Sequence, residues 1–215
     1  PISLRRDGTE WLWRAPRPAF WRAATDNDRG CGFPQHASAW MAADVFLRKE
    51  GCTVLEKSEQ RVQICYKYSV PLVPGAGVEI TYTVEPQAAL RVDDRYKGGV
   101  FGCHEEVPHI APALVPQDCG LHMDTQQVVL QLADGSELTL EQTGEPFAFS
   151  ALPNTAQEIE AAQHISELPN TGRTSITVLG AVRGVGGIDS WGTDVEKPYH
   201  IPGDRDHSVS FRIVF

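Results

Sequence analysis

The sequence has no apolar run approaching the ~18 residues that a membrane-spanning helix needs, and no basic-then-apolar leader opens it. It also lacks any cluster of basic residues: 19 Lys and Arg stand against 28 Asp and Glu, a net charge of −9. An acidic surface repels phosphate backbones, which argues against nucleic-acid binding. Cysteine is sparse. The five are Cys31, Cys52, Cys65, Cys103 and Cys119, an odd number with no C-x-x-C spacing, so neither a zinc site nor a redox pair is expected. Reduced thiols in a soluble cytoplasmic protein are the expectation. The chain opens on Pro1 rather than Met, as a trimmed chain would. What remains is ordinary: 215 residues, 41% hydrophobic and 22% charged, enough to bury a core without disulfides or metals.

Short alternating runs dominate the pattern. Arg61 to Val70 places Val62, Ile64, Tyr66, Tyr68 and Val70 on one face, the period of a half-buried strand. After a Pro74-Gly75-Ala76-Gly77 turn, Val78 to Val84 alternates again and predicts a hairpin. Gln126 to Leu132 and Glu137 to Gln142 flank Asp134-Gly135, whose residues tolerate positive φ in a tight turn. Thr174 to Val185 and Ser208 to Phe215 predict further strands, the second with Val209, Phe211, Ile213 and Phe215 against polar Ser210 and Arg212. Two short helices are expected. One is Trp40 to Lys49, with Trp40, Ala43, Phe46 and Leu47 at helical spacing. The other is Thr155 to Gln163, opened by a Thr155–Glu158 capping box. Many strands and 15 prolines point to an all-β antiparallel sandwich.

Three constellations could carry chemistry. Arg17 to Gly30 packs Asp26, Asn27 and Asp28 with aromatics and arginines, and successive Asx turns there would present oxygens to a hydroxyl-rich ligand or a neighbouring loop. A buried loop that sets a domain interface is the alternative. A calcium loop is not supported, because Ala37 and Ala39 stand where its bidentate glutamate would be. Gly184 to Gly192 holds four glycines around Ile188, Asp189, Ser190 and Trp191. Such a loop cannot bury an indole well. Trp191 is therefore a candidate platform for the apolar face of a sugar, with Asp189 and Ser190 beside it for hydroxyls; a lid on the sandwich is the other reading. The third, Gly102 to His109, carries His104, Glu105, Glu106 and His109. Pro108 and the extra residue break the H-E-x-x-H zinc spacing, so solvated loop charges are expected there.

These residues resemble a known family. Arg17 to Gly30 (RPAFWRAATDNDRG) is similar to the R-P-x-F-W-R-A-P-T-D-N-D-R-G segment opening the last domain of family 2 β-galactosidases of the lactose-operon type. Pro116 to Gly120 (PQDCG) resembles R-P-Q-E-N-G. Pro146 to Leu168 resembles the family's P-F-S-F-S-A-L-P-Y-T run, and Val185 to Gly192 (VGGIDSWG) resembles G-V-G-G-x-D/N-S-W-G. Ala24 replaces the family's proline and Cys119 its asparagine. Against that pattern, residues 1–215 form a single small-chain-like domain. Its beginning is short of a first strand or two, and a loop carrying G-x-G-P-x-E-N-Y is missing near Leu90 and Arg91.

The resemblance implies a large antiparallel supersandwich of the galactose mutarotase type, leaning on a catalytic (α/β)₈ barrel in the same or a separate chain. It implies that Trp191, with Asp189 and Ser190, reaches the sugar, while Arg22, Thr25, Asp26, Asn27 and Asp28 support the pocket or dock the domain. The catalytic glutamates lie in the barrel, as do the family's Mg and Na ions, so this domain is expected to hold no catalytic residue, metal or cofactor. Retaining glycosidases need two carboxyls ~5–5.5 Å apart on a rigid scaffold, and no segment here offers such a pair. Galactosides, the barrel and further copies in an oligomer are the partners implied. Two alternatives stand. One is a free mutarotase-like epimerase using His104 with Glu105, or His122, as acid and base. The other is a non-catalytic carbohydrate-binding or interaction module.

Overall fold

In the computed structural model, which describes residues 3–6, 8–85, 88–92, 114–131 and 134–214, short helices punctuate a chain of antiparallel strands. A two-residue pair, β1 (Arg5–Arg6) and β2 (Thr9–Glu10), precedes three helices, α1 (Asp26–Gly30), α2 (Phe33–His36) and α3 (Ser38–Met41). Strands β3 (Arg48–Lys57), β4 (Val62–Ser69), β5 (Gly77–Glu85) and β6 (Ala88–Val92) follow. Next come β7 (His122–Thr125), β8 (Gln127–Gln131), β9 (Glu137–Gln142) and β10 (Phe147–Leu152). Helix α4 (Ala156–Ala161), β11 (Ser175–Leu179) and β12 (Phe211–Val214) complete the order.

The strands build a seven-stranded sheet, β3-β4-β5-β6-β12-β9-β8, and a three-stranded sheet, β11-β10-β7. One apolar cluster joins them. Val128 and Leu140 from the larger sheet and Val209 before β12 pack with Phe147 of the smaller, flanked by Phe149, Val178, Phe211 and Ile213. That is the sandwich core. A second cluster of Ala23, Leu152 and Ile159 ties α4 and the segment before α1 to the end of β10. Ile159 is fully buried there, and burying an aliphatic side chain of that size stabilises by roughly 2 kcal/mol.

The β4–β5 hairpin pairs in register from Val62↔Val84 to Ser69↔Gly77, and β8–β9 closes on Asp134-Gly135 with Gly135 at φ 83°. Other expectations are corrected. No helix spans Trp40 to Lys49: α3 ends at Met41, Phe46 is exposed, and Arg48 and Lys49 already pair with β4. The eight-pair ladder of β3 on β4 outweighs a weak helical period. The strand expected from Thr174 to Val185 is shorter, Ser175–Leu179, and the next residue, Gly180, sits against Ser208, where an added Cβ would lie 2.7 Å from its carbonyl oxygen. On the other side, β12 begins only at Phe211. Ser210 is buried rather than solvent-facing and accepts a hydrogen bond from Thr143 Oγ1 at 2.8 Å. Phe215 lies outside the described residues. Cys31, Cys52, Cys65 and Cys119 are free thiols, and Cys103 lies outside the described residues. No described helix is long and apolar enough to cross a membrane.

Candidate functional site

The Asp-Asn-Asp segment forms a helix rather than a chain of Asx turns. Thr25 is its N-cap: the Asp28 N–H donates to Thr25 Oγ1 at 3.2 Å, and the Thr25 N–H and hydroxyl donate back to Asp28 Oδ2 at 2.9 and 2.8 Å. This is a capping box with aspartate in the glutamate's place. The spacing Thr25-x-x-Asp28 was its signal, the same one that marks α4, where Thr155 and Glu158 close the equivalent pair. Asp28 is fully buried and central to a cluster of charges. Arg22 reaches it with both terminal nitrogens, at 2.6 and 3.2 Å, and Arg183 Nη1 reaches its Oδ1 at 2.9 Å. Burial pushes the carboxyl up, but the bonds from Arg22 and Thr25 prevail and hold it below the usual carboxylate range. Removing one partner of such a pair costs about 3–5 kcal/mol, because the other charge is stranded.

Arg183 lies over the Phe33 ring at 4.0 Å, and Phe33 stacks on Trp21 with centroids 5.5 Å apart. Trp21 Nε1 donates to Glu160 Oε2 on α4 at 3.1 Å, and the Ala24 N–H donates to the same oxygen at 2.6 Å. A proline at position 24 has no N–H to give. Beside this cluster, burial raises the Asp118 carboxyl to about 6, with Arg22 opposing and Asp28 adding to the rise.

The second constellation sits on the first. Asn27 Nδ2 donates to the Gly186 carbonyl at 3.0 Å. Gly192, at φ 79°, lies so close to α1 that an added Cβ would be 2.5 Å from the Gly30 carbonyl oxygen; only glycine fits there. Together the two segments line one open polar depression of about 170 Å³, walled by Asp26, Asn27 and Gly30 on one side and Gly187, Asp189, Ser190, Gly192 and Thr193 on the other. Trp191 stands beside it, 91% exposed. Asp189 folds the loop tip: its Oδ1 accepts from the Trp191 and Thr193 N–H groups at 2.9 and 3.3 Å, and its Oδ2 from the Thr193 hydroxyl at 2.5 Å. Those bonds, the Thr193 hydroxyl foremost, hold its carboxyl below the usual range. One lone pair on Oδ2 is left for an outside donor, and Ser190 is exposed at the rim.

The two segments marked in the sequence thus meet at one depression. Within the first half, Asp26 and Asn27 are exposed, whereas Arg22, Thr25 and Asp28 are turned inward as support. Arg183 and Asp194 were missed, since a lone arginine and a lone aspartate in irregular chain give no local signal. His104, Glu105, Glu106, His109 and the junction after Leu90 fall outside or at the margin of the described residues. His122, offered for the epimerase alternative, stacks flat on Phe149 with centroids 5.0 Å apart. Among the described residues no three His, Cys, Asp or Glu side chains are grouped to hold a metal.

Comparison with known proteins gives a consistent picture. The family described as "Beta galactosidase small chain" matches residues 1–111 and 93–213. A "Beta-galactosidase small subunit" of Latilactobacillus sakei is 37% identical over 284 aligned positions, covering 100% of this chain and 89% of the relative. The β-galactosidases of Halalkalibacterium halodurans and Streptococcus thermophilus are 30% and 27% identical over 99% of this chain, which spans only 25% of each. Relatives of this kind do not favour an epimerase. The chain belongs to the β-galactosidase small-chain family.

Proposed function

We propose that this chain is the accessory domain of a β-galactosidase, completing the sugar pocket of a catalytic (α/β)₈ barrel that hydrolyses terminal β-D-galactosides such as lactose. The observation that carries the reading is Trp191, an indole left 91% exposed beside a polar depression by a loop whose own bonds hold it out. An indole face takes the C–H face of a pyranose, and Ser190 with the remaining Asp189 lone pair takes hydroxyls. The relatives support a partner in either arrangement: one is a separate small subunit, and in two others the matching region is a quarter of a longer chain. Mg and Na belong, on this reading, to the barrel.

Residues 1–215 act as one domain lacking a family segment near Leu90. The reading is supported by an alignment longer than the chain and by two family matches that overlap at 93–111. The free thiols fit a cytoplasmic site of action, and assembly as an oligomer of complete enzymes is part of the same reading.

The test is Trp191→Ala in the chain combined with its catalytic partner. Covering on the order of 50 Å² of apolar surface at ~25 cal/mol per Å² gives about 1 kcal/mol, so KM for a chromogenic galactoside should rise roughly fivefold with the melting curve of the chain unchanged. If the substitution unfolds the domain and leaves KM per folded molecule unaltered, Trp191 is a core residue and the reading fails.

A further inference from the structure

The loop that carries Trp191 is closed at its neck by a charge pair that belongs to neither constellation. Arg183 precedes the loop and Asp194 follows it. Arg183 Nη2 donates to Asp194 Oδ1, while Arg183 Nη1 donates to Asp28 Oδ1 at 2.9 Å and to the Gly184 carbonyl at 3.2 Å. One guanidinium therefore joins both ends of the loop to the buried carboxylate under α1. The two ends differ in setting: Arg183 is buried, and the Asp194 side chain is about half exposed, at 48%. Asp194 Oδ1 also accepts the Val195 N–H at 2.8 Å, which fixes the chain as it leaves the loop. Asn27 holds the entering segment at Gly186.

We propose that Arg183 is a positioning residue for Trp191, its fork of donors locking the loop neck through Asp194 so that the indole is presented at a fixed place over α1. The proposal rests on the reading of Trp191 as a sugar platform, but its core, the locking of the neck, is separable from it. Charge alone does not meet the geometry. Two carboxylates are engaged by two separate nitrogens of one rigid fork, a spacing that a single ammonium nitrogen does not reproduce. A fixed platform matters because each rotamer or loop state frozen on binding is lost from the affinity of the ligand that freezes it.

The experiment uses two variants of the full chain. Asp194→Ala removes the exposed half and leaves the Arg22–Asp28–Arg183 interior in place; Arg183→Lys keeps charge without the fork. Amide hydrogen exchange in the chain alone is followed at residues 186–193 and, as reference, along β4 and β5. Loop exchange is expected to quicken about fivefold in Asp194→Ala, as loss of a partly exposed ion pair allows, with the reference strands unchanged and Arg183→Lys giving no rescue. In the enzyme assembled with its catalytic partner, KM for a chromogenic galactoside should rise about two- to fivefold while kcat stays within about twofold. Unchanged loop exchange, or exchange that rises equally in β4 and β5, overturns the proposal. Trp191→Ala run alongside separates the two failures: if it leaves KM unmoved, the sugar reading falls, while the exchange data still decide the neck.

Discussion

Asp118 shows how a single side chain makes the small polar cluster under α1 depend on pH. Its carboxyl is raised to about 6 by burial, against the pull of Arg22 and with the push of Asp28. A group whose folded pKa lies above its unfolded value binds its proton more tightly when folded. The stability it contributes is then fully present below an ordinary aspartate pKa of about 4 and is lost as pH rises through about 6. The domain should therefore lose stability between about pH 4 and pH 6 from this group, by at most about 3 kcal/mol at 1.36 kcal/mol per pKa unit. Asp118→Asn should flatten that slope and make the chain more stable than the parent at pH 8. Urea unfolding of both proteins from about pH 4 to pH 8 measures it; parallel curves would mean that Asp118 titrates normally. Asp28 acts in the opposite sense. Burial raises it, the bonds from Arg22 and Thr25 lower it further, and the stability it supplies is lost only as pH falls through its depressed folded value.

Among the elements, the two capping boxes differ in what surrounds them. In α4 the pair Thr155–Glu158 is a local device: the Glu158 N–H donates to Thr155 Oγ1 at 3.3 Å, and Glu158 Oε2 accepts the Thr155 N–H at 2.7 Å. Thr155→Ala should cost about 1 kcal/mol, with most of it recovered in Thr155→Ser, the usual range for an N-cap. Midpoints of urea denaturation test this; an alanine variant as stable as the parent would mean that Ile159 burial alone holds the helix. In α1 the equivalent aspartate also carries Arg22 and Arg183, so the cap cannot be separated from the charge cluster. The same contrast explains what could be read from sequence. Hairpins β4–β5 and β8–β9 were legible because a period of two and a glycine turn are local facts. Strand β3 was not, since Val54 and Leu55 are consecutive, both exposed, and bounded by bulges. The Arg183–Asp28 contact was not legible either, because its partners are 155 positions apart. The aspartate-rich segment and the glycine-rich loop could be flagged separately, but their meeting is a tertiary fact.

At the scale of the whole molecule, this sandwich carries the exposed Trp191 indole, a small polar depression and a net charge of −9, and on the proposed reading the chemistry belongs to its catalytic partner. Retaining glycoside hydrolysis needs an acid and a nucleophile held ~5–5.5 Å apart across the bond. Three carboxylates around the described site have other work: Asp28 and Asp194 hold arginines, and Asp189 folds its own loop. The chain spans 25% of the Halalkalibacterium and Streptococcus β-galactosidases, and the proposed reading puts the reacting pair in the remainder. The purified chain alone should therefore give no turnover of a chromogenic β-galactoside, with activity appearing on addition of the catalytic partner and saturating at equal stoichiometry. The sharp control is the acidic pair in the segment that sequence reasoning singled out. If the isolated chain shows activity that survives repurification and falls at least about tenfold in Glu105→Gln or Glu106→Gln, a loss of the size expected for an acid–base group, the chain is an enzyme in its own right. The accessory reading would then be wrong.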